Sequence, residues 1–261
     1  MVMNILALGD IVGGRGTDHL CRKGFLPSLR KEHGIHFVIA NGENSAKGNG
    51  LSPDSAEALF DAGVDVITGG NHTWQKSSVY TMLDDDARLL RPANFPGAAP
   101  GNGYAVYTVE GARVLVFNLS GNAFMLEPIA SPYEWADKIL EREAGKYDIS
   151  ILDFHAETTS EKVAMGWYLD GRVSAVFGTH THVQTADERV LPRGTGYITD
   201  IGMCGSMNGV LGIKTECILH KFTVHTPVRF EEAEGDEHVH GAVFSVDTES
   251  GKCLSVKRIS V

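Results

Sequence analysis

The chain has 261 residues, 43% of them hydrophobic and 21% charged, with a formal net charge of −10. That length suits one large α/β domain or two small ones with a core that needs no staples, and the acidic balance excludes a global basic footprint for duplex nucleic acid. Four scattered cysteines (Cys21, Cys204, Cys217, Cys253) with no CxxC pair argue against structural disulfides and a thiolate zinc site, and no apolar run approaches membrane-spanning length.

Met3 to Leu8 reads as a buried strand, and it reaches Gly9-Asp10 with no basic leader, so a cytoplasmic setting is expected. Thr17 to Glu32 has Leu20, Leu26 and Leu29 on one helical face, with Pro27 kinking or restarting the helix. His36 to Ala40 is a second strand. Ser52-Pro53-Asp54 opens a helix that runs to Gly63, with a cap residue followed by proline at the first helical position. Val64 to Thr68 is a third strand, followed by a helix through Val79 and Leu83. This alternation predicts parallel βαβ units. Arg91 to Gly103 is loop-like, and Tyr104–Val109 with Arg113–Leu119 predicts a hairpin around Glu110-Gly111-Ala112. A helix from Pro132 to Glu143 leads into strand Asp148–Asp153, and Val173–Phe177 is a further strand. After Arg189 the pattern predicts mostly β structure, at Gly196–Thr199, Cys217–Val224, His240–Val246 and Leu254–Ile259. With no repeat, low-complexity segment or linker, the expectation is a two-sheet layer fold with helices outside.

Five polar clusters stand where apolar runs end: Gly9-Asp10, Asn41-Gly42-Glu43-Asn44, Gly70-Asn71-His72, Asp153-Phe154-His155 and Gly178-Thr179-His180-Thr181-His182. Strand ends on one sheet edge are where α/β folds build sites. The residue types are metal ligands: Asp10 and Glu43 offer carboxylates, Asn44 and Asn71 amide oxygens, and His155, His180 and His182 neutral imidazoles. Two divalent ions bring +4, and two carboxylates with a bridging hydroxide bring −3, which leaves a positive centre suited to a phosphate oxyanion. His72, beside Asn71, is placed to donate a proton to a leaving oxygen.

Each cluster has a plainer reading. An isolated His-x-His is more often an ordinary strand end, but four companion clusters reverse that preference. Asp10 and Asn71 could cap the helices that follow, and Asn44 could hold a left-handed turn among Gly42, Gly48 and Gly50. Glu157 and Glu161 read as solvated or capping residues. Asp200 reads equally as a support for a ligating histidine or as a turn residue. His238-x-His240 has no ligand cluster in register and reads as solvent-facing; His19, His33, His36, His220 and His225 default to structure. Trp74, Trp135 and Trp167 fall on predicted helices and read as core, with Trp74 also a substrate-contact candidate near His72.

In this order the clusters resemble the calcineurin-like metallophosphoesterases, and more closely their YmdB family. The resemblance spans nearly the whole chain and includes Gly9 to Gly13, Asn41 to Asn44, Gly70 to His72, Arg91 to Asn94, Asp153 to Glu157, Thr159 to Lys162, Gly178 to Val183 and Tyr197 to Asp200. It implies a single metallophosphoesterase domain over residues 1–261, an α/β fold in which a two-sheet β-sandwich is flanked by helices in four layers, α/β/β/α. It implies one metal on Asp10, Glu43, Asn44 and His182, a second on Glu43, Asn71, His155 and His180, and His72 as general acid. The wider superfamily has Asp-x-His where this chain has Val12; the YmdB pattern replaces that histidine with Asn44 and uses Glu43 as the bridge. An amide oxygen in place of imidazole shifts the expected metals, divalent or trivalent, toward iron or manganese and away from zinc. Close relatives often carry arginine where this chain has Asn122. The implied activity is hydrolysis of small phosphoesters, 2′,3′-cyclic nucleotides first, by a homo-oligomer (dimer or tetramer) that binds neither membrane nor stable duplex nucleic acid. A phosphomonoesterase or nuclease on the same site is one alternative. A metal-bound regulatory or nucleotide-sensing protein is another, and an intact His72 favours the enzyme.

Overall fold

A computed structural model describes residues 1–261. In chain order the elements are β1 (Val2–Leu8), β2 (Asp10–Ile11), α1 (Gly13–Leu20), α2 (Phe25–His33), β3 (Phe37–Asn41), α3 (Pro53–Ala62), β4 (Val66–Thr68) and α4 (Tyr80–Asp85). The middle of the chain gives β5 (Tyr104–Val109), β6 (Ala112–Ser120), α5 (Pro132–Arg142), β7 (Ile149–His155), α6 (Thr159–Leu169) and β8 (Ala175–Thr179). The last third gives β9 (Arg189–Val190), β10 (Gly196–Ile198), β11 (Met203–Ser206), α7 (Thr215–Val224), β12 (Glu237–Asp247) and β13 (Cys253–Ser260).

The strands form two sheets, ordered β2-β11-β12-β1-β3-β4 with β13 on β12, and β5-β6-β7-β8-β10-β9. β1, β3 and β4 run parallel, as do β6, β7, β8 and β10, so both sheets carry βαβ units; antiparallel β12 lies inside the first sheet between β11 and β1, and antiparallel β5 and β9 edge the second. Side chains alternate across each strand, and the alternation makes the layers. Met3, Ile5 and Ala7 of β1 face Val114, Val116, Ile151 and Phe177 of the second sheet in the central core. Leu6 and Leu8 point the other way and pack with Leu20, Leu26, Leu29, Ala56 and Leu59 of α1 to α3. On the far side Leu115, Phe117, Leu152 and Phe154 pack under Ile139, Leu140, Met165 and Leu169 of α5 and α6. The result is the expected α/β/β/α order. All four cysteines are free thiols, and no helix is long and apolar enough to cross a membrane.

Several elements differ from the sequence expectation. The helix anticipated over Thr17–Glu32 is two helices, broken at Gly24 (φ 79°), and Pro27 sits in the first turn of the second, where its missing N–H costs nothing. Cys217–Val224, anticipated as a strand, lies in helix α7. Its short apolar run fits either period, and only Cys217 of this helix is buried, so neither burial face dictated the outcome. Trp74 lies in a turn rather than a helix, stacked beside Phe95 (ring centroids 4.6 Å apart) and donating to Pro100 O, and Trp167 is 51% exposed rather than core. His240 is not solvent-facing: it lies against Gly202, where an added Cβ would meet its Nδ1 at 2.8 Å.

The loop leaving β8 is tied down by Asp187. Its carboxylate accepts from Thr185 Oγ1 (2.7 Å), Thr199 N (3.1 Å) and Thr199 Oγ1 (2.5 Å). Burial alone would raise its pKa, but the hydrogen bonds from Thr199 and Thr185 hold it below the ordinary value. A depressed carboxyl pKa stabilises the fold above the unfolded-state pKa, and that contribution is lost as pH falls through the folded-state value. Asp187→Asn is therefore expected to cost about 1 kcal/mol at pH 7, part of it screened by the residue's partial exposure. The gap from wild type should narrow below about pH 4. Urea unfolding at pH 7 and at pH 3.5 measures both quantities, and a gap independent of pH would contradict the assignment.

Candidate metal centre

All five clusters arrive at the carboxyl ends of parallel strands or in the loops just beyond them. β1 delivers Asp10 through Gly9, where a side chain would collide with Gly202 O at 2.1 Å. β3 delivers Asn41, Glu43 and Asn44; β4 delivers Asn71 and His72; β7 and β8 deliver His155, His180 and His182. Asp10, Glu43 and His155 are fully buried.

The donor atoms converge. One donor atom each from Glu43, His155 and His180 lies within 4.8 Å of the other two. Glu43 Oε1 is 3.3 Å from His155 Nε2, which is 3.1 Å from both Asn71 Oδ1 and His180 Nδ1. His182 Nε2 lies 3.7 Å from Asp10 Oδ1, and His155 Nδ1 lies 4.0 Å from the same oxygen. Asn44 Nδ2 donates to Glu43 Oε1 at 3.1 Å. Gly70 makes the approach possible, since a Cβ there would sit 2.1 Å from Glu43 Oε2 and 2.3 Å from His155 Nε2. Every residue expected as a ligand is thus in one cluster. The plainer cap readings do not describe the structure: the N-cap of α1 is Val12, and Asn71 lies in a turn rather than at a helix start.

The electrostatics fit cations. Burial alone would raise Glu43 and Asp10. Yet His155 and His72 pull Glu43 well below the carboxylate range, and His182 and His155 pull Asp10 down. Burial alone would lower His155, but Glu43, Asp10 and Asp153 carry it up to about 9. His180 is pushed down to about 4 by burial and by the neighbouring His155. Two carboxylates are held ionised in a buried cluster of imidazoles, a donor set suited to iron, manganese or zinc. Asp10 Oδ1 and His182 Nδ1 are buried with no hydrogen-bond partner, which is costly unless a ligand satisfies them. The residues present fit a metal pair.

Sequence reasoning missed the supports. Asn41 Nδ2 donates to Gly69 O (3.1 Å) and Asp153 Oδ2 (3.0 Å), and its Oδ1 accepts from Glu43 N at 3.2 Å. Thr179 Oγ1 donates to Asp153 Oδ1 at 2.7 Å and so accepts from His155 Nδ1 at 2.9 Å, which leaves His155 Nε2 for the centre. Asp153, raised to about 6 by burial against the pull of His155, Thr68, Thr179 and Asn41, is the far end of that chain. Glu157 is not simply solvated: its Oε2 lies 3.0 Å from His180 Nε2, which turns Nδ1 inward. Glu161 accepts from Asn122 N (2.9 Å) and Ala123 N (3.1 Å), so it anchors the Asn122 loop. Asn41 and Asp153 lay inside the polar clusters, where burial and a neighbouring ligand were the available signal. Thr179 lay in the last cluster and Glu157 two residues beyond His155, but neither residue type singled out its partner.

His72 is partly exposed, with Nδ1 at 3.1 Å from both Glu43 Oε1 and Asn44 Oδ1 and its backbone N–H donating to Glu43 Oε2 at 2.8 Å.

Comparison with known proteins places the chain in a family. The chain is 46% identical over 259 residues to the 2′,3′-cyclic-nucleotide 2′-phosphodiesterase of Bacillus subtilis strain 168, covering 99% of this chain and 97% of that protein. A crystal structure of a hypothetical protein from Thermus thermophilus superposes with a TM-score of 0.92 at 38% identity, covering 99% of each chain. A novel phosphatase from Mycoplasma pneumoniae superposes with a TM-score of 0.93 at 32% identity, over 100% of this chain and 94% of that one. A 5′-nucleotidase precursor from Thermus thermophilus, at 14% identity and a TM-score of 0.61 over 54% of its length, shares the fold. A family model described as YmdB-like protein matches residues 6–259, and the chain belongs to that family.

Proposed function

We propose that this phosphoric ester hydrolase is a dinuclear-metal phosphodiesterase for small phosphoesters, with 2′,3′-cyclic nucleotides as the preferred class. The observation that carries the reading is the tight cluster of Glu43, His155 and His180 with Asp10, Asn44, Asn71 and His182 against it, two of the buried donor atoms being unpartnered. The Bacillus subtilis relative, named for that substrate, supports the class. Bound divalent ions would supply positive charge for a phosphoryl oxygen and lower the pKa of water to near neutrality.

The chain's own residues do the rest. Asp10, Asn44 and His182 would hold one ion, Asn71, His155 and His180 the other, and Glu43 both. Thr179 and Asp153 orient His155, and Glu157 orients His180. His72, partly exposed at the rim, gives a proton to the leaving ribose oxygen.

Assays with 2′,3′-cyclic AMP, a 3′,5′-cyclic nucleotide, p-nitrophenyl phosphate and a single-stranded RNA test the substrate class. Turnover is expected to be fastest on the 2′,3′-cyclic compound; fast RNA cleavage without it would overturn the assignment. A polyanion is disfavoured by the net charge of −10. Individual carboxylates matter less, because Asp86 is paired with Arg88, Asp84 caps Gly101 N, and Asp187 holds its loop. Metal analysis and reconstitution test the ion: manganese or iron should give the higher rate, and zinc alone with no gain from either would refute the Asn44 argument. A cytoplasmic homo-oligomer, dimer or tetramer, belongs to the same reading, and light scattering in solution measures its size.

A further inference from the structure

Lys162 on α6 and Asp200, just after β10, are an ion pair buried to 2% and 0% exposure, with Nζ and Oδ2 at 2.6 Å. Neither is a candidate ligand. A buried ion pair is a poor source of stability, because desolvation offsets the attraction, so its surroundings must supply the reason for it. Asp200 Oδ2 also accepts from Thr181 N (3.2 Å) and Thr181 Oγ1 (2.6 Å), and Lys162 Nζ donates to Thr181 Oγ1 at 3.3 Å. Asp200 Oδ1 accepts from Gly202 N at 2.8 Å, which fixes the carboxylate from behind.

Thr181 is the residue between the two histidines of the β8 loop. His180 has φ 95° and His182 has φ 63°. Two non-glycine residues in the left-handed region are unfavourable unless the surroundings over-determine them. The neighbouring backbone is shaped to bring Lys162 there. A Cβ at Gly166 would lie 2.5 Å from the Tyr197 ring, so α6 packs closely on β10. A Cβ at Gly178 would meet Lys162 Cδ at 2.9 Å and Thr199 O at 1.8 Å, so the lysine stem passes over β8 through a space only glycine leaves.

We propose that the Lys162–Asp200 pair is a positioning device. It grips Thr181 by both N–H and hydroxyl and so holds His180 and His182 in the left-handed turns that aim their imidazoles at Glu43 and Asp10. The inference rests on the reading of His180 and His182 as metal ligands, and it gives Lys162, Thr181 and Asp200 a role in metal affinity without contact with metal or substrate.

Metal titration of the purified, chelator-stripped protein tests it, with Mn²⁺ for affinity and Co²⁺ for the visible absorption spectrum. Thr181→Val keeps the shape and removes the hydroxyl; Thr181→Ser restores it. Thr181→Val is expected to weaken Mn²⁺ binding by about 10- to 100-fold, the usual effect of losing a residue that orients a ligand, and to alter the Co²⁺ spectrum. Thr181→Ser should match wild type in both. The double variant Lys162→Met/Asp200→Asn leaves no unpaired buried charge; it should melt near wild type in EDTA and still bind Mn²⁺ weakly. Wild-type affinity and spectrum in Thr181→Val, or in the folded double variant, would overturn the proposal. His180→Ala separates the two readings. If it alone loses affinity, the positioning role fails and the ligand reading stands; if it too binds normally, the ligand reading fails.

Discussion

Glu43→Ala is expected to remove both metals and essentially all phosphoesterase activity. Glu43 is fully buried, and both of its oxygens are engaged. Oε1 is 3.3 Å from His155 Nε2 and 3.1 Å from His72 Nδ1, and Oε2 accepts the backbone N–H of His72 at 2.8 Å. Oε1 also accepts from Asn44 Nδ2 at 3.1 Å, so the carboxylate touches both the side of the cluster containing Asn44 and the side containing His155, Asn71 and His180. Asp10 Oδ1 stands farther off, 3.7 Å from His182 Nε2 and 4.0 Å from His155 Nδ1, and its Oδ2 accepts the backbone N–H of His180. In the proposed two-metal site, loss of Glu43 would take one anionic ligand from each ion at once and leave Asp10 as the sole carboxylate among the proposed ligands. Elemental analysis should fall from about two ions per chain, as a two-metal site requires, to less than one. Glu43→Gln, which keeps the shape but not the charge, should fall nearly as far. A variant that retained two ions with wild-type turnover would remove Glu43 from the centre and the bridging argument with it.

What the sequence made legible here was the part encoded by periodicity and by residue type at strand ends. The alternation in β1 separates Met3, Ile5 and Ala7 from Leu6 and Leu8, and it predicts two buried faces, which is what places a sheet between another sheet and a helix layer. Asp10, Glu43, Asn71, His155 and His180 were readable because each terminates an apolar run, and parallel strands bring such termini to one edge. Three things were not readable. The short apolar run at Cys217–Val224 carries no decisive period, and its helix buries almost nothing. The supports Thr179, Glu157 and Asn41 have ordinary residue types whose roles exist only through a partner far away in sequence, as with Asn41 and Asp153. The left-handed turns at His180 and His182 are imposed from outside, by Asp10 on one N–H and Asp200 on the next. A local reading of Thr179 to His182 gives no reason for them, because non-glycine residues disfavour that region.

His72→Ala is expected to keep both metals and to lose about two to four orders of magnitude in turnover, the usual size of a general-acid contribution. The geometry makes this a sharp test, because His72 Nδ1 faces Glu43 Oε1 and Asn44 Oδ1, the same oxygens assigned to metals. If His72 is a ligand, its removal should lower metal content; if it is the acid, content stays while kcat falls. A second measurement separates the acid from a residue that merely shapes the pocket. A general acid matters most when the leaving oxygen is strongly basic, as a ribose hydroxyl is, and least when it departs readily as an anion, as p-nitrophenolate does. The deficit of His72→Ala should therefore be large on 2′,3′-cyclic AMP and much smaller on bis-p-nitrophenyl phosphate. An equal deficit on both substrates, with metals retained, would assign His72 to binding or to the hydrogen bond that holds Glu43. Full activity on both would leave the leaving oxygen to be protonated by water, and the partly exposed rim of the site would then be its source.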